Sequence, residues 1–426
     1  MELLQVGSKG PSVELLQSIL NKIGYFNGVI DGIFGQQTKD AITYFQNNFG
    51  LVSDGIVGNN TWKALKPYRD GNTNYTVKSG DTLYQIARYF STTIDRIITA
   101  NPGINANNLQ IGQKLIIPFG TIIPTDISYT YDILQMNLDA LKTIYPFIET
   151  GSAGQSVLNH SLYYVRLGRG QKEVFYNASF HANEWITTSV LMKFIENFSK
   201  AYAENKTIYG YRAREIFDNV SIYLIPMVNP DGVDLVTGNI KNDNPAYIEA
   251  KKIAENYSFL SFPSSWKANI RGVDLNLQYP ANWEIAKELK YQQGYVSPAP
   301  RDFVGYSPRS EPEANAVYLF TQSHDFRLIL AYHTQGSIIY WQYLDYEPPY
   351  SYEIGTRLSD ASGYRLGSTP YYSSFAGFKD WFIQDYDRPG YTVEVGSGIN
   401  PLPISQFSSI YNENEGILVL GAVLSV

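Results

Sequence analysis

The chain has 426 residues, of which 44% are hydrophobic and 17% charged, a composition with enough apolar side chains for a large core. The formal net charge is −7, and no segment is strongly basic, so nucleic acid is excluded as the main partner. Cysteine is absent, so any metal must bind to His, Asp or Glu. The longest apolar run, residues 417–426, is too short to span a bilayer and predicts a buried terminal helix.

Residues 1–68 predict a small all-α domain. Apolar residues recur at helical spacing before Gly24, at Leu15, Leu16, Ile19, Leu20 and Ile23. Asp-Gly-Ile-Phe-Gly at 31–35 returns as Asp-Gly-Ile-Val-Gly at 54–58, each time before a threonine that can start a helix. With Leu16-Gln17, Phe45-Gln46 and Thr61-Trp62, the segment resembles the peptidoglycan-binding domain found beside many wall hydrolases. The resemblance implies binding to peptidoglycan.

Residues 67–74 are polar and interrupted by Pro and Gly, which predicts a linker. Residues 73–120 predict a second small domain of the order strand, helix, helix, strand, with Asp81 as the N-cap of its first helix. Its Gly80-Asp81-Thr82-Leu83 turn, Asn101-Pro102 and the closing Leu115–Pro118 segment resemble the LysM module. That resemblance implies binding to glycan chains that contain N-acetylglucosamine.

Residues 125–426 are long enough for one large domain. Strand-like runs such as 220–225 and 328–332 alternate with helical stretches such as 186–202, which predicts an α/β sheet covered by helices. Active residues would then lie at strand ends and in the loops that follow them.

The chain has four histidines, so their positions are informative. His181 and Glu184 follow a strand-like stretch and precede a helix, and a backbone turn there could direct both side chains at one ion. A His-x-x-Glu pair alone is weak evidence, because chance supplies it often. We expect His324 to be structural and His160 to lie on the surface.

Further motifs follow in a fixed order along this domain. They are Phe180–Ile186, Asn229-Pro230-Asp231-Gly232, Gly272-Val273-Asp274-Leu275-Asn276, Ala331-Tyr332-His333 and Tyr391-Thr392-Val393-Glu394. Together they resemble the carboxypeptidase A-like zinc metallopeptidases, over the whole domain. The resemblance implies a mixed sheet covered by helices and peptide-bond hydrolysis.

The same resemblance implies one zinc ion per chain, bound by His181, Glu184 and His333. Asp274 would accept a hydrogen bond from the outer nitrogen of His181 and fix the tautomer of its ring.

The family likeness also implies roles around the metal. Glu394 would take the proton of the zinc-bound water, and Arg271 would stabilise the oxyanion. Tyr372 falls at the family's mobile tyrosine, although Tyr371 is adjacent. Asn276 is expected to contact substrate.

One position departs from the family. True carboxypeptidases follow the equivalent of Asn276 with an arginine that clamps the substrate's terminal carboxylate, and here Leu277 follows it. With its two wall-binding modules, the chain resembles the γ-D-glutamyl-meso-diaminopimelate peptidases of spore-forming bacteria. Lys379 falls at the base of the pocket for the residue after the cut bond, where it could pair with the side-chain carboxylate of diaminopimelate.

The sequence thus predicts a zinc-dependent hydrolase of peptidoglycan stem peptides that acts in wall degradation, remodelling or recycling, with a link to sporulation. A wall-anchored general metallocarboxypeptidase and a catalytically inactive wall-binding protein are the alternatives. The expected location is the cell wall or spore of a bacterium. Because no signal peptide is visible at the N-terminus, a cytoplasmic or mother-cell location stays open.

Overall fold

The computed structural model describes residues 1–425. They form two compact units: the first comprises Met1–Ser128, Asp132–Ile148 and Ser199–Lys206, and the second comprises Tyr129–Tyr131, Glu149–Phe198 and residues 207–425. Both predicted small modules lie in the first unit. Within residues 1–425, no helix is both long enough and apolar enough to cross a bilayer.

The first unit contains six helices and two strands. They are α1 (Pro11–Lys22), α2 (Gln36–Asn48), α3 (Asn59–Asp70), β1 (Asn72–Thr76), α4 (Leu83–Tyr89), α5 (Ile94–Ala100), β2 (Lys114–Pro118) and most of α6 (Tyr131–Ile144).

The sequence repeat of the first module is also a repeat of hydrogen bonds. Gln17 of α1 donates from Nε2 to Asp31 Oδ1, Ile33 O and Thr38 Oγ1 at 2.9–3.2 Å. Gln46 of α2 makes the equivalent bonds to Asp54, Ile56 and Thr61 at 2.9–3.2 Å. Each Gln Oε1 accepts from the glycine after the aspartate, Gly32 or Gly55. Each threonine therefore lies inside the helix that follows its turn, where it accepts a hydrogen bond from the buried glutamine of the preceding helix, and it does not start its own helix.

Two local predictions for this unit are wrong. Pro67 lies inside α3, and Asn72–Thr76 pairs antiparallel with Lys114–Pro118, so there is no linker at 67–74. The N-cap of α4 is Thr82, which forms a capping box with Gln85. Asp81 instead accepts from Lys78 N and Tyr75 Oη and closes the preceding turn.

The second unit contains the remaining elements. The strands are β3 (Glu149–Gln155), β4 (Ser161–Leu167), β5 (Lys172–Ala178), β6 (Thr207–Ile208), β7 (Tyr211–Arg212), β8 (Val220–Ile225), β9 (Phe326–His333), β10 (Ile338–Tyr340), β11 (Arg365–Gly367) and β12 (Gly390–Glu394). The helices are most of α7 (Ile186–Ala203), α8 (Ala213–Asn219), α9 (Pro230–Thr237), α10 (Pro245–Glu255), α11 (Trp283–Gln292), α12 (Pro312–Gln322), α13 (Ser351–Ser362), α14 (Phe378–Tyr386) and α15 (Phe407–Val423).

An eight-stranded mixed sheet organises this unit, in the order β11-β10-β12-β9-β5-β8-β4-β3. Its central pairs β12/β9, β9/β5 and β5/β8 are parallel, whereas β10/β12, β8/β4 and β4/β3 are antiparallel. Every residue of β8 is buried, as expected for a strand covered by helices on both faces. The predicted α/β fold, with its mixed sheet and buried terminal helix α15, is confirmed.

The sheet brings several predicted site residues to one edge. Parallel strands end at the same edge of a sheet, where α/β proteins place their ligands. His333 is the last residue of β9, Glu394 is the last residue of β12, and the two are direct partners in the ladder. His181 follows three residues after the end of β5, which pairs with β9.

Candidate metal centre and active site

Three buried side chains converge at this edge. Glu184 lies in a short 3₁₀ turn, Ala182–Glu184, that begins immediately after His181. Its Oε1 is 3.0 Å from His181 Nδ1, and its Oε2 is 3.0 Å from His333 Nδ1. The two imidazole Nδ1 atoms are 3.1 Å apart.

This donor set fits a metal ion. Two imidazole nitrogens and a carboxylate are the ligand types of catalytic zinc sites, and ligands about 2.0–2.1 Å from one tetrahedral ion are about 3.3 Å apart. The three residues are the His/Asp/Glu group within residues 1–425 whose ligand atoms all lie within 4.8 Å of one another. Without a cation, two nitrogen lone pairs and a carboxylate would face each other in a buried space, so the cluster could hold a metal ion.

Asp274 fixes the ring of His181. Its Oδ1 is 3.0 Å from His181 Nε2, and it also accepts the backbone N–H of Asn276. Burial opposes ionisation of this carboxyl, but the charges of His181 and Lys267 outweigh burial and hold its pKa well below the usual range. With Nε2 directed at Asp274, Nδ1 of His181 is left as the ligand atom.

Glu394 shares the cavity with the cluster but has no hydrogen-bond partner for its carboxylate among residues 1–425. Burial, and then the negative charge of Glu184, raise the pKa of Glu394 to about 8, although Lys267 partly offsets them. A carboxyl poised near neutral pH and directed at a water-accessible space is suited to proton transfer.

Arg271 does not reach this cavity. Its side chain is 56% exposed, and Nη1 lies 3.7 Å from Glu311 Oε2. Lys267, four residues earlier, lines the cavity with the three metal-binding candidates and Glu394. Burial lowers the pKa of the Lys267 ammonium, but nearby carboxylates, those of Asp274 and Glu184 first, outweigh burial and raise it. The cation beside the metal cluster is therefore Lys267, which the sequence analysis did not identify.

Some of the remaining predicted residues line the cavity, and others lie at its rim. Asn276, Leu277 and Lys379 line the cavity, which has a volume of about 210 Å³. Tyr371 and Tyr372 lie in a 3₁₀ turn with their side chains directed to solvent, and Tyr372 is 63% exposed. Tyr372 is thus at the rim, next to Ser373, which does line the cavity.

Lys379 is buried and already has polar contacts. Its Nζ donates to Gln342 O at 2.7 Å and Thr369 Oγ1 at 3.3 Å, and it lies 2.8 Å from Asp380 Oδ1. Asn276 uses its Oδ1 to accept from Phe378 N at 3.0 Å, so α14, which carries Lys379, is tied to the segment that carries Asn276.

The other two histidines lie outside the cavity. His160 is half-buried, with Nδ1 2.8 Å from Asp231 Oδ1 and its ring stacked on Tyr131, so the surface position expected for it is wrong. The ring of His324 stacks on Phe326 and contacts Glu173 at 3.1 Å, a structural position. Asn229 fixes its turn as expected, accepting from Gly232 N and donating to Phe180 O and Ala268 O.

A mixed sheet with a buried His-Glu-His cluster at the ends of its parallel strands, and a carboxyl group beside that cluster, defines a metallopeptidase site. The zinc carboxypeptidase family matches residues 134–415, and the chain belongs to this family of peptidases. A peptidoglycan binding domain matches residues 9–65, and a LysM domain matches residues 75–118.

Individual relatives agree with this assignment. The γ-D-glutamyl-L-diamino acid endopeptidase 1 of Lysinibacillus sphaericus is 42% identical over 403 residues, which cover 82% of this chain and 99% of that protein. The uncharacterized protein YqgT of Bacillus subtilis is 41% identical over 293 residues, 68% of this chain and 76% of its own.

Solved structures share the fold. Thrombin-activatable fibrinolysis inhibitor superposes with a TM-score of 0.54 at 16% identity, covering 83% of this chain and 98% of its own. Carboxypeptidase A from Helicoverpa armigera superposes with a TM-score of 0.52 at 16% identity, covering 97% of this chain and 94% of its own.

Proposed function

We propose that this protein is a zinc-dependent endopeptidase that cuts peptidoglycan stem peptides between γ-linked D-glutamate and meso-diaminopimelate. The observation that carries the proposal is the composition of one cavity. It contains the metal cluster, Glu394 and the cations Lys267 and Lys379, but it has Leu277 where a carboxylate-clamping arginine would be needed for a general carboxypeptidase. The two wall-binding domains and the relative from Lysinibacillus sphaericus support the same substrate.

In this proposal His181, Glu184 and His333 bind one zinc ion, and Asp274 orients His181. Bound zinc would polarise the scissile carbonyl and lower the pKa of a coordinated water to roughly 7. The protein supplies the ligand arrangement, the proton acceptor and the charges that surround the substrate.

Glu394 is the proposed proton acceptor. Its carboxylate has no competing hydrogen bond and lies in the same cavity as the cluster. It takes a proton from the attacking water and later gives a proton to the amine of the leaving diamino acid. A pKa that lies near the working pH suits both halves of that exchange.

Lys267 takes the role that was expected of Arg271. It stabilises the negative charge that develops on the scissile carbonyl oxygen, because its ammonium group lines the cavity and has no hydrogen bond or ion pair within residues 1–425. Tyr372 remains a proposed substrate contact, made from the rim of the cavity.

Lys379 and Asp380 are proposed to recognise the far end of diaminopimelate. That side chain ends in an amine and a carboxylate, and the ion pair at the cavity wall offers a cation and an anion to match them. Replacing Lys379 with Ala should reduce kcat/KM on diaminopimelate peptides far more than on peptides with lysine at that position, since lysine lacks the carboxylate. Equal losses on both would contradict this role.

The decisive experiment uses the tetrapeptide L-Ala-γ-D-Glu-meso-diaminopimelate-D-Ala. The proposed reaction yields the two dipeptides L-Ala-D-Glu and diaminopimelyl-D-Ala, whereas a general carboxypeptidase releases D-Ala, and an inactive binding protein leaves the peptide intact. Mass spectrometry of the products separates these outcomes. The reaction should stop with a zinc chelator, resume with added zinc, and be absent in His181→Ala, which should not retain zinc.

The proposed setting is the bacterial wall, in its degradation, remodelling or recycling, with sporulation as one context. The support is the pair of wall-binding domains. Immunoblotting of the wall, spore and soluble fractions of growing and sporulating cells would test this setting. Enrichment in the soluble fraction under both conditions would contradict it.

A further inference from the structure

A second basic group lies in the same cavity and is not used by the reaction described above. Lys290 of α11 and Asp302 line the cavity together with Lys267 and Asp274. Lys290 Nζ donates to Asp302 Oδ1 at 2.7 Å, and its side chain is only 9% exposed. No hydrogen bond or ion pair joins this group to Lys379 or Asp380 within residues 1–425.

The charges of this group do not balance. Asp302 is shared by two cations, with Oδ1 bonded to Lys290 and Oδ2 bonded to Arg301. Asp274 is committed to His181, to Asn276 N and to Asp302 N. Lys267 has no carboxylate within ion-pair distance in residues 1–425. Lys290 and Arg301 therefore share the single carboxylate of Asp302, and a buried cation with only a shared counter-charge can take a further anionic partner.

The backbone holds this group in place. Asp302 adopts a left-handed conformation with φ 63°, which is uncommon for a residue other than glycine. That conformation directs its N–H at Asp274 Oδ2, at 3.3 Å, while its carboxylate reaches Lys290. The position of Lys290 is thereby coupled to the residue that orients His181.

The substrate of the proposed reaction carries an anion that could pair with Lys290. In a γ-linked peptide the carbonyl under attack belongs to the glutamate side chain, so the α-carboxylate of that glutamate stays free. It lies on the acyl side of the cut bond, whereas the proposed function places diaminopimelate and Lys379 on the other side.

We infer that Lys290, held by Asp302, forms a subsite that binds the free α-carboxylate of the γ-linked glutamate. This inference rests on the proposed function and adds to it a requirement on the acyl side. The enzyme then distinguishes stem peptides with D-glutamate from those in which the α-carboxylate is amidated to D-isoglutamine.

The test compares two tetrapeptides that differ in this group alone, one with the α-carboxylate and one with the α-carboxamide. For the wild type, kcat/KM should be about 10- to 100-fold higher on the carboxylate form. Lys290→Met should reduce that ratio to near one, mainly through KM, because a remote carboxylate is bound equally in the ground state and the transition state. The carboxamide offers no anion to Lys290, so the loss caused by Lys290→Met on the carboxylate form should exceed its loss on the carboxamide by the same factor, about 10- to 100-fold.

Two further variants separate recognition from folding. Lys287→Met removes a lysine of the same helix that contacts the rings of Trp283 and Tyr291, outside the cavity, and should leave the ratio unchanged. Lys290→Arg keeps the cation and should keep most of the ratio. Calorimetry with the dipeptides L-Ala-D-Glu and L-Ala-D-isoglutamine gives a readout independent of turnover. Wild type, Lys287→Met and Lys290→Arg should prefer the former, and Lys290→Met should not.

The inference is overturned if the wild type binds and cleaves both forms equally, or if Lys290→Met loses both to the same extent. The proposed function fails separately, when the zinc-loaded wild type cleaves neither tetrapeptide at the γ-glutamyl bond. In that case, a calorimetric preference for L-Ala-D-Glu that Lys290→Met abolishes would still support the carboxylate subsite. If the wild type shows no such preference, the subsite is refuted.

Discussion

Glu394 is a carboxyl group of the cavity without a hydrogen-bond partner among residues 1–425, so its replacement should affect chemistry and little else. We expect Glu394→Gln to retain zinc, because Glu394 is not part of the ligand cluster, and to lower kcat by about 100- to 10,000-fold. Zinc content by atomic absorption and kcat on the tetrapeptide measure the two effects. Near-wild-type turnover would mean that another group accepts the proton. Glu288→Gln, a change in an exposed residue of α11, is the control.

Replacing Lys267 and replacing Arg271 should affect kcat very differently, because only Lys267 lines the cavity. Lys267→Met should lower kcat by about 100- to 1,000-fold, the loss typical of removing one oxyanion donor. Arg271→Ala should change kcat less than about threefold, since this side chain is 56% exposed and its contact with Glu311 is 3.7 Å long. Steady-state kinetics of both variants decides between the two assignments. A large loss in Arg271→Ala alone would restore the role first expected of it.

Because of the buried carboxyl group of Glu313, we expect the stability of the folded protein to depend on pH. Glu313 is fully buried, and burial, together with the charge of Asp231, raises its pKa to about 7 from 4.5. Below 4.5 the carboxyl is protonated in both states, and between 4.5 and about 7 only the unfolded chain loses the proton. Stability is therefore lost across that window as pH rises.

Glu313→Gln removes this titration. The free energy of unfolding of the variant, relative to wild type, should rise by roughly 3 kcal/mol between the two ends of the window. Urea titrations of metal-free protein at several pH values measure the difference without the pH dependence of zinc binding. A flat difference would show that Glu313 is ionised in the folded state. Glu288→Gln again serves as the exposed control.

At the scale of elements, the repeated glutamine network holds the first module together. Gln46 is 1% exposed and bonds Gly55 N, Ile56 O and Thr61 Oγ1. Gln46→Ala leaves the backbone groups of Gly55 and Ile56 without these partners. This loss should lower the free energy of unfolding by roughly 2–3 kcal/mol. Because Trp62 is the one tryptophan in residues 1–70, its fluorescence during urea unfolding of that fragment measures the cost. Gln36→Ala, in an exposed pair with Asp40, should cost a few tenths of that value, and equal costs would contradict the network.

At the scale of the whole molecule, residues 1–118 should bind peptidoglycan without the catalytic part. Each module has its own core, with Leu16, Leu20 and Phe45 buried in the first and Val77, Ile86 and Ile97 in the second. Two weak sites on one chain also gain from a high effective concentration. Sedimentation of the fragment with purified sacculi tests this, with full-length Glu394→Gln as the reference. A fragment that stays in the supernatant while the reference sediments would contradict it.

The sequence alone determined the class of the protein and the groups at the centre of its site. His181, Glu184, His333 and Glu394 were assigned from motifs that resemble the zinc carboxypeptidases. The fold explains why these motifs meet, because His333 and Glu394 end parallel strands and the other two lie shortly after a third. The repeat around Asp31 and Asp54 likewise marked two equivalent turns, although it did not show that buried glutamines hold them.

Only the tertiary structure decided which cation faces the metal cluster. Lys267 and Arg271 lie four residues apart in one irregular loop, where Asn269 Oδ1 accepts from Arg271 N and Gly272 turns with φ 78°. A loop has no period from which the direction of a side chain can be read, so family order alone pointed to Arg271, whose side chain does not line the cavity. The same reason hid the subsite of Lys290 and Asp302. Its members come from a helix and a loop that become neighbours only when the chain folds, and nothing in their local sequence predicts that they meet.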